Sequence, residues 1–395
     1  MIYLVCFFTS ALCFRFSESL LKHKKTAFWF TTGKALINIP KKEHSFKTKI
    51  TMSQALSGIF ALLGLLIPSI LAGVRDFSIG TDITVYGNAW FERAHHIGLL
   101  KYLRWAVTSS IGLIYALLNY IVGLFTEDAH IFYFILMLVE LTLVYKAVTY
   151  FRDKLSVPLA MLVYYFLFYN TTLNILRQSL ALAIMAVAIA NLARNRNKQF
   201  LLFWLIASLA HSSALLMIVL FPIKIYSLQK EKRFHTLVLF SVTSVTMILY
   251  SQILGLLIHF GILSERYAVY LGDIAAGGRM TRTAFFFIIT ILLLIGYPAF
   301  EKSYRKEIVL INSTIISSAL TLILFFGNNQ IIRIAYYFDL SLLFILPMLN
   351  RIIVFDFFEK KAKWLHIPIL ILLFVYWLIT VVVQRGGETY PFKMM

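Results

Sequence analysis

Acidic side chains are scarce in this chain: 18 Asp and Glu stand against 37 Lys and Arg, and charged residues make up only 14% of 395 positions. A soluble domain carries roughly a quarter charged residues, so a water-facing surface of ordinary extent is excluded. Cysteine is almost missing. Cys6 and Cys13 alone exclude a disulfide scaffold, and two thiols on nearly one helical face are too few ligands for a metal centre. Both read as packing residues in the first apolar run. There is no P-loop, dinucleotide fingerprint, zinc-protease motif or nucleophile elbow, which excludes the common soluble enzyme chemistries. No fixed-period repeat marks a solenoid.

What is present is oil. Hydrophobic residues reach 60% and mean hydropathy is +0.81. Apolar runs of about 20 residues, enough to cross a bilayer as helices, recur from end to end. Backbone in lipid must satisfy itself, so the fold class expected is all-α: a polytopic transmembrane helical bundle of about 10–12 spans, with outer-face loops and one re-entrant segment. The expected spans are 2–21, 55–74, 108–125, 130–148, 156–173, 178–193, 200–223, 236–260, 283–300, 308–326, 334–355 and 365–384. Residues 26–39, interrupted by Gly33 and Lys34, read as interfacial. The chain is read as one integral membrane domain over 1–395. Residues 1–54 form an atypical N-terminal helix with a basic cytoplasmic loop, and 55–395 form the core.

A net charge of +19 invites nucleic acid as a partner. The charge is instead broken into short clusters between apolar runs, as in Lys22–Lys25, Lys41–Lys42, Arg194–Arg196, Lys230–Arg233 and Lys360–Lys361. That is the pattern of cytoplasmic loops beside anionic headgroups, not of one basic face for DNA. The first helix carries no leading charge, so it reads as retained, with its N-terminus outside. Lysines at 41–49 then go inside, and the span 55–74 delivers Arg75 to the outer face. Later loops agree: 264–282, 327–333 and the tail go outside. Lys146, Arg152 and Lys154 fall on the wrong side by simple counting, and 200–223 has basic residues at both ends. The re-entrant segment is expected at 200–223, broken near His211, or at 77–110.

Polar chemistry concentrates at a few places. Arg75-Asp-Phe-Ser-Ile-Gly-Thr-Asp82, with Tyr86 one turn on, follows directly on an apolar run. Gly80 permits a turn that a side chain would hinder. Asp76 and Asp82 each admit two readings: partner of Arg75 and cap of the following helix, or a carboxylate at the lipid–water boundary whose burial makes it a general base. Tyr86 shares Asp82's helical face. Arg177-Gln178 opens an alanine-rich helix, and an arginine at that depth either snorkels or faces a watery cavity. His211, followed by Ser212 and Ser213, sits inside an apolar run as a packing residue or a ligand contact. Arg266, Tyr267, Tyr270 and Arg282 mix aromatic faces, which stack on sugars, with arginines, which fork onto phosphates. An interfacial aromatic belt is the competing account. Arg333, Tyr336 and Tyr337 share one face, which Asp339 does not join. Glu140 is a further buried-charge candidate.

At these residues the chain resembles the EpsG-like family of bacterial exopolysaccharide polymerases, related in role to Wzy-type O-antigen polymerases. The likeness runs through Arg75-Asp76, Gly80-Thr81-Asp82, Tyr86, Arg177-Gln178, His211, Arg266-Tyr267, Arg333 with Tyr336-Tyr337, and Tyr390-Pro391-Phe392. It departs at Ile111–Tyr115, where relatives often carry an acidic residue, and at 26–50. The resemblance implies joining of undecaprenyl-pyrophosphate-linked oligosaccharide repeat units at the outer face of the bacterial cytoplasmic membrane. It implies a multi-pass enzyme without metal or cofactor. Its partners would be the lipid-linked substrate, membrane lipids, a flippase and a chain-length regulator, with no nucleic acid. On this reading Asp76 or Asp82, or His211, serves as base. Arg177, Arg333 and Arg282 hold the pyrophosphate, Tyr267, Tyr270 and Tyr336 stack on sugar, and Arg75, Tyr86, Gln178 and Arg266 are further substrate-binding residues. Two other functions compete: a flippase of lipid-linked sugars, which would favour internal symmetry not seen here, and a non-catalytic scaffold of an export complex.

Overall fold

The computed structural model describes residues 1–30, 51–109, 111–228, 232–261, 279–326, 332–352 and 366–395. Among them the chain is helical, and the one β-type contact is an isolated antiparallel bridge between Arg75 and Met394. Arg266, Tyr267 and Tyr270 lie outside the described residues.

The helices run between two ends of one bundle. The site end is marked where α1 (Ile2–Phe30) begins and α2 (Met52–Gly73) finishes. There the Tyr3 hydroxyl donates to Thr389 O at 2.7 Å. Along the crossing, Ser10 donates to Gly64 O, and Gly64 has no Cβ to strike the Phe14 ring. The segment after α2 stays at this end. It forms a π-turn (Ile83–Gly87), then α3 (Asn88–His96), α4 (Leu99–Thr108) and α5 (Leu113–Gly123). It returns to its starting level, because His130 Nδ1 at the head of α6 (Ala129–Thr149) meets Gly73 O at 2.8 Å. The apolar stretch at 108–125 therefore does not carry the chain to the far end.

The far end is basic. Arg152 pairs with Glu18 at 3.6 Å, and Lys154 with the buried Glu307. With 74–128 returning on itself, Lys146, Arg152 and Lys154 arrive opposite Arg75, as the charge pattern demands. α7 (Val157–Tyr164), a second π-turn (Tyr165–Tyr169) and α8 (Asn170–Thr172) lead back to the site end. α9 (Leu176–Ala193) then descends through the middle, buried at almost every position from Gln178 to Ala193. Its alanines let α10 (Asn197–Ala210) lie close along it.

At His211 the chain turns back. A 3-10 stretch (Ser212–Val219) and α11 (Leu220–Ser227) return beside α10, so Lys224 Nζ donates to Asn197 Oδ1 at 2.9 Å. Residues 197–227 thus form a hairpin rooted at the basic end with His211 at its tip. This explains basic residues on both flanks of one apolar run. Gly112, at φ +90°, faces that tip: a Cβ there would sit 2.0 Å from Ala210 O.

Of the remaining elements, α12 (Lys232–Ile248) and α13 (Tyr250–His259) meet at 65°. α14 (Arg279–Ser303) descends, and α15 (Ile308–Leu320) is buried on all sides as a second central helix. α16 (Ile323–Phe326) precedes α17 (Ile332–Asp339), which continues into α18 (Leu342–Ile352) through a 43° bend. α19 (His366–Trp377) and a π-turn (Leu378–Val383) lead to the tail. By length and composition, five described helices can cross a membrane, or seven counting each bent pair as one. The rest of the expected spans are interrupted or shorter. The protein is a polytopic helical membrane protein.

The tail folds back onto the first loop. Asp76 N donates to Lys393 O at 3.0 Å and Met395 N to Val74 O at 3.1 Å. Glu388 accepts from the Thr81 hydroxyl, and Asn170 Nδ2 donates to Thr389 Oγ1 at 2.9 Å.

Candidate functional site

Gly80 docks the first loop. Its φ of +91° suits glycine, and a Cβ would lie 2.5 Å from Leu173 O. Pressed against the α8–α9 connection, Asp82 reaches out of its own turn and makes no cap bond there. Its Oδ2 accepts instead from Leu176 N, at the start of α9, at 3.2 Å. A carboxylate at that position complements the positive end of the helix. Tyr86, one turn along, donates its hydroxyl to the same oxygen. Burial pushes the Asp82 carboxyl above the usual carboxylate range, opposed by the Tyr86 bond and by Arg333 and Arg177 nearby. Burial and the neighbouring carboxylate raise the Tyr86 phenol, so it stays protonated and donates.

Arg177 is the first cation beside Asp82. Its guanidinium lies over Tyr86 at 5.0 Å and Trp90 at 5.1 Å, two rings that stack on each other at 4.1 Å. Gln178, the next residue, donates to Arg333 O at 2.8 Å, which ties the start of α9 to α17. Arg333 itself is exposed. His211 lies within electrostatic reach of both arginines. Its Nδ1 meets Ser213 Oγ at 2.7 Å, and Ser213 Oγ meets the Tyr337 hydroxyl at 3.0 Å. Four separated pieces of sequence, carrying Asp82 with Tyr86, Arg177, His211 and Arg333, converge here.

Next to this cluster opens a cavity of about 270 Å³. Arg333, Asn174 and Ile175 line its side toward Asp82, and Asn174 Oδ1 faces Asp82 N at 3.4 Å. Arg282, Tyr336, Tyr376 and Gln384 line the rest. Arg282 pairs with Asp339 at 2.6 Å and lies 5.3 Å from the Tyr336 ring centre. Ser317 donates to the other Asp339 oxygen.

Arg75 and Asp76 part company. Arg75 is buried, donates to Leu173 O at 3.0 Å and lies over Tyr133 at 5.1 Å. Glu140, buried mid-way along α6 and bonded by Ser179, is within its electrostatic reach. Asp76 stays partly exposed and accepts from Ser78 N at 2.9 Å. Bonds from Ser78 hold its carboxyl below the usual range. These two residues shape the loop and do not join the Asp82 cluster.

Sequence reasoning overlooked Trp90, Asn170, Tyr376 and Gln384. Only Asn170 left a trace, as the start of the polar Asn170-Thr171-Thr172 run inside an apolar stretch. No group of three or more His, Cys, Asp or Glu that could hold a metal ion occurs among the described residues.

The family model described as "EpsG family" matches residues 58–394. No curated protein and no solved structure matches the chain.

Proposed function

From its membership of the EpsG family, to which this chain belongs, with the exopolysaccharide-related, polymerase-type role that the family carries, we propose the reaction in finer detail. The protein joins oligosaccharide repeat units carried on undecaprenyl pyrophosphate, at the outer face of the bacterial cytoplasmic membrane. The observation that carries this reading is one carboxylate, Asp82, held between two cations, Arg177 and Arg333, at the end of the bundle opposite the basic loops. A flippase and a chain-length regulator are the protein partners this role implies.

An acceptor hydroxyl oxygen attacks the anomeric carbon of the growing chain, forming the new glycosidic bond. The bond from that carbon to the pyrophosphate oxygen breaks, and its electron pair leaves with the lipid pyrophosphate. Asp82 takes the hydroxyl proton. Its burial supports this role, because a carboxylate with a raised pKa is a stronger base. Asp76, solvated and stabilised as an anion by Ser78, is the weaker candidate. Arg177 and Arg333 meet the charge that develops on the leaving pyrophosphate, a task for preorganised cations. His211, within electrostatic reach of both arginines, serves as hydrogen-bond partner to the same group, and Ser213 and Tyr337 fix its ring.

Purified protein in nanodiscs, supplied with a lipid-linked repeat unit, tests the reading. A ladder of products is expected, and Arg333→Ala should cut its rate by about 10²–10³-fold, the usual cost of one lost charge-stabilising group. Movement of substrate across a vesicle membrane without elongation would mean a flippase. Neither activity would leave a scaffold. An Arg333→Ala protein that inserts normally and makes full-length polymer would remove the pyrophosphate role.

A further inference from the structure

The cavity beside Asp82 differs in chemistry from the arginine cluster at its rim. Arg282 contributes hydrogen-bond donors there, but Asp339 offsets its charge at 2.6 Å. Ser317 bonds the second carboxylate oxygen, so the pair is held in place from both sides. The remaining lining includes three aromatic side chains, Phe166, Tyr336 and Tyr376, with polar Asn174, Thr380 and Gln384 and apolar Leu167 and Val381. Faces of aromatic rings against uncharged donors and acceptors match a sugar ring, which presents C–H groups on its faces and hydroxyls on its edge. The lining holds two arginines: Arg282 is paired with Asp339, and Arg333 lies on the side facing Asp82.

We propose that this cavity is the acceptor subsite, holding an uncharged terminal sugar ring with its nucleophilic hydroxyl toward Asp82. The assignment rests on the polymerase reading. Its size fits: at about 270 Å³ it falls just below the roughly 300–1,000 Å³ of sites that enclose a drug-sized ligand. The terminal ring enters, and the rest of the repeat unit stays outside. Its placement fits as well. Asn174 lines the cavity and also faces the backbone of Asp82, so a ring seated there has its edge beside the base. Tyr336, Tyr376 and Gln384 become specificity-determining residues for the acceptor, distinct from the arginines that serve the donor.

Two probes separate the halves of the site: undecaprenyl pyrophosphate, and the repeat-unit oligosaccharide released by mild acid from the host's own lipid-linked intermediates. Binding of each to the full-length protein in nanodiscs is measured separately. Tyr376→Ala and Gln384→Ala should each weaken oligosaccharide binding at least ten-fold and leave binding of the lipid pyrophosphate within two-fold. Arg333→Ala should do the reverse. Tyr376→Phe, which keeps the ring, should bind the oligosaccharide within about three-fold of the wild type. Gln384 is exposed, so its variant keeps the test open if Tyr376→Ala fails to fold. Unchanged oligosaccharide binding in both alanine variants, or equal loss of both probes, overturns the subsite. Wild-type protein that binds the lipid pyrophosphate but not the oligosaccharide overturns the subsite and spares the polymerase. Wild-type protein that never binds the lipid pyrophosphate overturns the polymerase reading and the subsite with it.

Discussion

Asp82 shows how much one side chain depends on what is packed against it. Ser78 and water stabilise Asp76 as an anion, whereas burial destabilises the Asp82 anion despite two nearby arginines. The sign of the pH effect follows. A base works only when deprotonated, and a raised pKa moves that deprotonation to higher pH. Polymer formation should therefore rise with pH through a midpoint above the ordinary carboxylate range. Asp82→Asn should lose about 10²–10⁴-fold in rate and flatten that limb, whereas Asp76→Asn should keep it. Initial rates across a pH series, on protein shown to remain folded, check both. The Asp82–Tyr86 contact was legible in the sequence, since four residues make one helical turn. The partners of Arg75 were not. Leu173 O and Glu140 are remote in sequence, and no local pattern announces a contact between segments that meet only in the folded bundle. Tyr376 and Gln384 escaped for a related reason: a tyrosine or a glutamine near the end of an apolar run is ordinary until its neighbours are known.

At the scale of elements, two glycines hold the site together by what they lack. Gly80 lets the Asp82 loop sit on Leu173, and Gly112 lets the α4–α5 connection touch the His211 hairpin. A side chain at either position meets backbone and also an unfavourable φ, a cost of about 1–3 kcal/mol for the dihedral alone. Gly80→Ala should lower the melting temperature and abolish activity together. Gly58→Ala, where a Cβ meets open space in mid-helix, should leave both unchanged or gain slightly in stability. Thermal denaturation in detergent, with activity measured alongside, distinguishes them. The His211 hairpin explains why the element count was hard to read. Hydropathy averages over a window, so an out-and-back pair of short helices registers as one apolar run. Its basic flanks, Arg194–Lys198 and Lys224, were the sign that it begins and ends on one side.

For the whole molecule, the same hairpin and the returning segment 74–128 bring the charge pattern and the described helices into agreement. N-terminus, first loop and tail share one end, and Arg152, Lys154 and Glu307 share the other. Single cysteines make this measurable, once Cys6 and Cys13 are replaced by serine. Thr126→Cys and Arg385→Cys should react with a membrane-impermeant maleimide added to intact cells. Lys198→Cys and Arg305→Cys should react only after the cells are opened. Labelling of all four from outside would undo the orientation. The all-helical membrane class was legible from composition alone, because sixty per cent apolar residues in long runs leave few other folds.

The tail carries a consequence for how the protein is made. Lys393 and Met395 close onto Val74 and Asp76, and Glu388 onto Thr81, beside the Asp82 turn. The ribosome delivers the first loop more than three hundred residues before the strand of tail that buttresses it. Until residues 388–395 reach that loop, Val74, Asp76 and Thr81 lack these bonds. The loop that carries Asp82 is thus fixed in place only after most of the chain that follows it has been made.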